Sequence, residues 1–227
     1  MRIGFNEAND RFCAGHTVMQ DLELCEKYGF DCIDIQSECL NRDLDNGVVT
    51  LEELGEWFAT HHLSMLSYNA LCFFNMKQTE EEKAAVMAEL DEIIRRCNIL
   101  GCKMIVVVPS QDMKERGLQP TRKEIREDAV AVLKEMVKKV EPYGIKLSLE
   151  FCGAPDMTIN RFEDAYAIVQ EVDSPLVGVT LDQYHFYAMG SGWETLEKAD
   201  GKKIFVWHLN GTEDMPCGSY YNNDEKR

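Results

Sequence analysis

The tightest constraint on the fold is a unit that recurs along the chain: a short apolar run, a loop, a helix opening on Thr, and a closing glycine. Thr50 with Glu53, Thr79 with Glu82, and Thr121 with Glu124 have capping-box spacing, in which hydroxyl and carboxylate satisfy orphan amides at a helix start. Gly29, Gly101 and Gly144 stand where a helix end needs a residue that accepts the left-handed conformation. A further helix is expected over about 17–28, and another from near Asn160, again with an acid (Glu163) three positions on. Seven strands are predicted between them, at 2–6, 32–36, 64–70, 104–108, 146–150, 177–182 and 204–210. Strands alternating with helices require crossover connections and therefore a parallel sheet. No G-x-G-x-x-G turn and no P-loop occur, which favours an α/β fold of the (β/α)8 barrel kind over a doubly wound sheet. No Pro-, Gly- or Ser-rich linker divides the chain, so residues 1–227 are expected to form one domain. An eighth strand and helix are missing from the pattern. The chain is accordingly expected to be a C-terminally truncated form of a longer enzyme, with the gap between strands one and seven open or filled by a neighbouring molecule.

Charge and cysteine usage narrow the function classes. A net charge of −16 argues against a nucleic-acid surface or an anionic membrane, both of which attract clustered Lys and Arg. The nine cysteines are odd in number, scattered, and include no Cys-x-x-Cys pair, so reduced thiols and a cytoplasmic location are expected. No apolar run approaches the ~18 residues of a membrane span, and the N-terminus has no signal-peptide core.

Three successive strands share a second pattern. Side chains alternate along a strand. In 146–150, Ser148 and Glu150 therefore face away from Leu147 and Leu149. In 177–182, Gly178, Thr180 and Asp182 oppose Val177, Val179 and Leu181. In 204–210, Val206, His208 and Asn210 oppose Phe205, Trp207 and Leu209. Each strand thus ends a small-to-polar face with a potential metal ligand. Functional sites of such barrels lie at the C-terminal strand ends, where neighbouring strands are ~4.8 Å apart. Glu150, Asp182 and His208 can converge there on one divalent ion: Mn, Co, Zn or Mg. Taken singly, a strand-end Asp is ordinarily a helix cap or ion-pair partner, and a lone His ordinarily packs. Jointly, two carboxylates and an imidazole buried in a barrel mouth demand compensation by a cation or hydrogen bonds. His185, three residues past Asp182, is a candidate partner of a ligand, substrate contact or proton carrier; the plainer reading has it cap the following helix. His16, His61 and His62 read as structural, and Phe73 and Phe74 as core or pocket wall.

At these residues the sequence resembles the xylose-isomerase-like barrel family of sugar isomerases and epimerases, and within it the inosose (2-keto-myo-inositol) isomerases. The resemblance is carried by FNEA (5–8), DLELCEKYGFDCIDI (21–35), NALCFFN (69–75), VVVPS (106–110), LEFCG (149–153), LDQYHFYAMGS (181–191), ADGKKIF (199–205) and HLNGTEDMP (208–216). It implies that Glu150, Asp182 and His208 are three of four metal ligands, the fourth being a strand-eight glutamate beyond Arg227. It places Asn69, His185, Asp214 and Arg227 at the substrate pocket. An arginine is expected near the end of strand two, where Gln36 stands instead, removing a five-donor cationic fork.

The expected activity is isomerisation of a ketocyclitol or ketose, above all inosose, by proton transfer between adjacent carbons, with Glu150 and His185 as catalytic groups. Rival readings are a sugar epimerase of the same family, an apurinic-endonuclease-type metal hydrolase, and a non-catalytic sugar-binding subunit. The endonuclease is disfavoured by only five histidines and the acidic charge. The expected partner is a small polyol or ketose, not nucleic acid or membrane, with self-association into a homo-oligomer left open.

Overall fold

The computed structural model of the chain describes residues 1–9, 13, 15–111, 113–214 and 216–219. Seven strands, β1 (Gly4–Asn6), β2 (Cys32–Gln36), β3 (Ser64–Cys72), β4 (Met104–Val108), β5 (Lys146–Glu150), β6 (Val177–Asp182) and β7 (Ile204–His208), form one sheet. They lie in sequence order, and every neighbouring pair is parallel. Among the described residues β1 and β7 are the outer strands. The sheet curls far enough for His208 on β7 to reach Asp34 on β2 across the interior, at 3.0 Å. The architecture is a nearly closed α/β barrel of the TIM type.

The helices form where the capping chemistry predicts them. Thr50, Thr79 and Thr121 cap α3 (Leu51–Thr60), α4 (Glu80–Leu100) and α5 (Arg122–Val140), each with its glutamate returning the bond. Thr17 and Gln20 do the same for α1 (Val18–Tyr28). Gly29 and Gly101 close α1 and α4 at φ of 75° and 70°, a conformation that would strain any residue with a Cβ.

Two helices depart from expectation. Helix α2 (Ser37–Asp45) follows β2 directly, because the side chain of Gln36 accepts the Glu38 and Cys39 amides at 2.6 and 3.1 Å. A glutamine is not among the usual caps, so no local signal announces it. Helix α6 (Phe162–Val172) begins near Asn160 as expected, but its start is capped differently. Asn160 instead donates to the Ala154 carbonyl, and the first amide of α6 is taken by Ser191, 29 residues away, at 3.0 Å. Glu163 turns outward from its own helix start to accept the Gly192 amide at 2.7 Å. Short helices α7 (Gln183–Ala188) and α8 (Trp193–Glu197) complete the set.

The outer sheet face packs under the helices through Ile33, Ile35, Leu71, Ile105, Val107, Leu147, Leu149, Val177, Val179 and Leu181, all buried. The inner face is buried as well, but polar. Ser67 donates to Asp34 at 2.6 Å, and Ser148 and Thr180 share a hydrogen bond of 2.6 Å. Strand β7 corrects the simple alternation. A register shift pairs Val179 with Ile204 and Thr180 with Val206, so Phe205 is an extra residue in a bulge rather than a member of the outward face. A Cβ on Gly178 would lie 2.7 Å from the Phe205 ring, so the bulge requires glycine at 178. Strand β7 also ends at His208, two residues short of the predicted boundary, leaving Trp207 and Leu209 exposed. Among the described residues no helix is long and apolar enough to cross a membrane.

Candidate metal centre

The strand ends bring Glu150, Asp182 and His208 together. Register pairs Asp182 with His208, and Glu150 with Thr180 one layer below. Paired residues of a parallel sheet point to the same side, so all three side chains enter the barrel interior. His208 Nδ1 lies 3.1 Å from Glu150 Oε1 and 3.8 Å from Asp182 Oδ2. Its other nitrogen, Nε2, lies 3.0 Å from Asp34 Oδ2. Asp34 is a member of the cluster that sequence reasoning missed. An isolated Asp inside an apolar strand is a weak signal, and β2 lies far from β7 in the chain.

All four side chains are less than 10% exposed. Burial works against a charged imidazole. The carboxylate of Glu150 and the hydrogen bonds with Asp34 and Glu150 outweigh it, and raise the His208 pKa well above the usual histidine value. Even a protonated ring leaves three carboxylates around it two negative charges in excess. Uncompensated buried charge is costly. The donor set therefore fits a divalent cation: carboxylate oxygens and one imidazole suit a borderline or hard metal.

Asp182 also performs the plainer role of a strand-end aspartate. Its Oδ1 accepts the His185 amide at 2.9 Å and caps α7, while Oδ2 receives Asn210 Nδ2 at 2.9 Å. Asn210 in turn accepts the Tyr184 amide at 2.8 Å, locking the α7 turn over the strand ends.

His185 stands closer to the carboxylates than a remote contact would. One donor atom from each of Glu150, Asp182 and His185 lies within 4.8 Å of the others. Its Nδ1 accepts the Gly153 amide at 2.9 Å, which assigns the ring hydrogen of the neutral form to Nε2. The contact is close: a Cβ on Gly153 would sit 2.7 Å from the His185 backbone.

The other predicted residues are dispersed. Asn69 is paired with Gln36 and Val106, whose neighbour is Ser148, and so belongs to the inner face. Asp214 is exposed and accepts the hydroxyl of Tyr187, a residue of α7, at 2.9 Å. Arg227 lies outside the described residues. Gln36, in place of the expected arginine, is occupied as the cap of α2. His61 is structural as read: it stacks on Trp57 with centroids 4.0 Å apart. His62 is exposed and ties its backbone to Glu26. His16 belongs to a second acidic cluster, with Glu7 and Asp21, that sequence reading did not anticipate.

A parallel α/β barrel with a carboxylate–imidazole cluster at its C-terminal strand ends defines a barrel protein with a candidate metal site. The sequence profile of the family described as "Xylose isomerase-like TIM barrel" matches residues 22–223, and the chain belongs to that family. An inosose isomerase of Bacillus velezensis is 41% identical over 225 residues, covering 99% of this chain and 77% of the relative. An inosose isomerase of Bacillus subtilis (strain 168) is 41% identical over 236 residues, covering 99% and 78%. A crystal structure of the IolI protein with a binding zinc atom superposes with a TM-score of 0.91 at 41% identity, again covering 99% and 78%.

Proposed function

We propose that the chain is a divalent-metal-dependent isomerase of inosose (2-keto-myo-inositol), moving a proton between adjacent ring carbons. The observation that carries this reading is the buried Glu150–Asp182–His208 centre, in a chain 41% identical to proteins named inosose isomerase. Glu150, Asp182 and His208 would hold the ion, and zinc is favoured by its presence in the IolI structure. When bound, the ion supplies Lewis acidity toward a carbonyl oxygen and positive charge beside the carbons that exchange the proton.

The protein groups supply position and proton handling. The neutral His185 ring, oriented by the Gly153 amide, carries a donor at Nε2 and suits a proton carrier better than a ligand. A carboxylate has two oxygens, so Glu150 can serve the metal with one and accept a proton with the other. Asn210 fixes both Asp182 and the start of α7, coupling the centre to the turn that bears His185. The polar inner face, including Asn69, offers hydrogen-bond partners to a polyol. A small-molecule substrate also agrees with the acidic charge of the chain.

The test is turnover of inosose in heavy water by protein stripped of metal and reloaded with zinc. The expected product is a keto-chiro-inositol, formed only in the reloaded protein and carrying deuterium at a carbon beside the carbonyl. Epimerisation of free ketohexoses without any turnover of inosose overturns the assignment. His185→Ala is expected to keep its zinc and lose about 100-fold or more in turnover. Normal turnover per bound ion in that variant removes His185 from the mechanism.

A further inference from the structure

We infer that Asp34 is the positioning residue of the centre: from the far side of the barrel it orients the His208 ring so that Nδ1 presents a lone pair to the ion. The inference rests on the reading that Glu150, Asp182 and His208 hold a divalent cation.

The geometry is specific. Asp34 Oδ2 lies 3.0 Å from His208 Nε2, whereas Glu150 and Asp182 lie 3.1 and 3.8 Å from Nδ1. The two ring nitrogens point in different directions. Asp34 therefore lies behind the imidazole as seen from the other two carboxylates. A neutral imidazole carries one hydrogen. With a carboxylate accepting at Nε2, the hydrogen stays there and Nδ1 is left as the ligating atom. A carboxylate behind the ring also fixes its plane and makes Nδ1 a stronger donor.

Asp34 is itself held. Its Oδ1 accepts the Ser67 hydroxyl at 2.6 Å, so one oxygen is anchored by β3 and the other faces β7. The carboxylate is only 4% exposed, and such a group is retained in a barrel interior when its neighbours compensate it. The bond spans 174 positions of sequence and joins the two flanks of the sheet. Asp34 thus acts through His208 and needs no contact with substrate.

The test compares Asp34→Ala, Asp34→Asn and Ser67→Ala with the wild-type protein. Zinc affinity is read by chelator competition, ring-nitrogen shifts of His208 by ¹⁵N NMR of the zinc-loaded protein, and folding by melting temperature. Asp34→Ala is expected to weaken zinc by ~10–100-fold. Asp34→Asn keeps an acceptor and the side-chain volume without the charge, and is expected to fall between wild type and alanine. Ser67→Ala leaves the Asp34–His208 bond and is expected to show the smallest loss. The wild-type spectrum should show hydrogen on Nε2, and that signal should move in Asp34→Asn. Should Asp34→Ala not fold, the near-isosteric Asp34→Asn and the wild-type spectrum still decide the matter. Equal zinc affinity in wild type and folded Asp34 variants overturns the inference, as does hydrogen on Nδ1 in the zinc-loaded wild type. A wild-type protein that binds no zinc overturns the underlying metal reading instead, and with it this role.

Discussion

Two buried clusters in this barrel contain the same residue types, two carboxylates and a histidine, yet they are built differently. Glu150, Asp182 and His208 stand on consecutive strand ends, where the ladder fixes backbone position and the pleat fixes direction. Glu7, His16 and Asp21 come from a 3-10 turn, a loop and the first turns of α1. In the second cluster one ring nitrogen serves both acids: His16 Nε2 touches Asp21 and lies 3.9 Å from Glu7. Glu7 also accepts the Gln36 amide at 2.8 Å, tying the segment after β1 to the end of β2. The first cluster sets a third carboxylate, Asp34, against the same single imidazole, so its excess of acid is larger. Composition alone would not separate the two. The larger excess of acid over imidazole and the convergence from rigid strands do, and they single out the first as the candidate metal centre, while the second ties the segment after β1 to β2 through Glu7.

The largest effect should come from the strand-end cluster. Asp182→Ala and His208→Ala each remove a donor and are expected to bind zinc substoichiometrically, with activity lost in step. Elemental analysis that finds full occupancy in both variants breaks the comparison at its root. His16→Ala should behave in the opposite way. It removes the imidazole paired with buried Asp21, and breaking a buried pair costs roughly 3–5 kcal/mol, so urea unfolding should shift strongly while zinc stoichiometry holds. If His16→Ala loses zinc as His208→Ala does, the second cluster is also part of a metal site, and the contrast disappears.

How much of this was readable beforehand follows the same division. The convergence of Glu150, Asp182 and His208 was legible because side-chain alternation is a local rule, and a polar residue at the end of an alternating strand points in a known direction. The helix starts at Thr50, Thr79 and Thr121 were legible for a similar reason, since cap and reciprocating acid lie three residues apart. Asp34 was not, because its partner His208 is reached only after the whole sheet has curled. Nor was the Phe205 bulge, which depends on how β7 meets β6 rather than on any preference of its own sequence. Gln36 is a different case. The sequence marks it only as standing where an arginine is expected, and the structure gives its side chain to the cap of α2.

The smallest expected effect tests local against distant capping. Thr121 caps α5 from the adjacent position, whereas Ser191 takes the first amide of α6 from beyond β6 and α7. Replacing either by alanine removes one bond to a helix start, worth about 1 kcal/mol. The consequences should nevertheless differ in extent. For Thr121→Ala, faster amide exchange is expected only in the first turn of α5, because its partner Glu124 belongs to the same turn. Ser191 also donates its backbone amide to the Phe186 carbonyl at 3.0 Å, and the next residue, Gly192, is held by Glu163. Ser191→Ala should therefore speed exchange at Phe162 and along 186–192 together, loosening the turn that follows His185. A measurable fall in turnover with unchanged zinc content is expected for Ser191→Ala and not for Thr121→Ala. Exchange confined to Phe162 in Ser191→Ala, with full turnover, would mean that the distant cap is energetically no different from the local one.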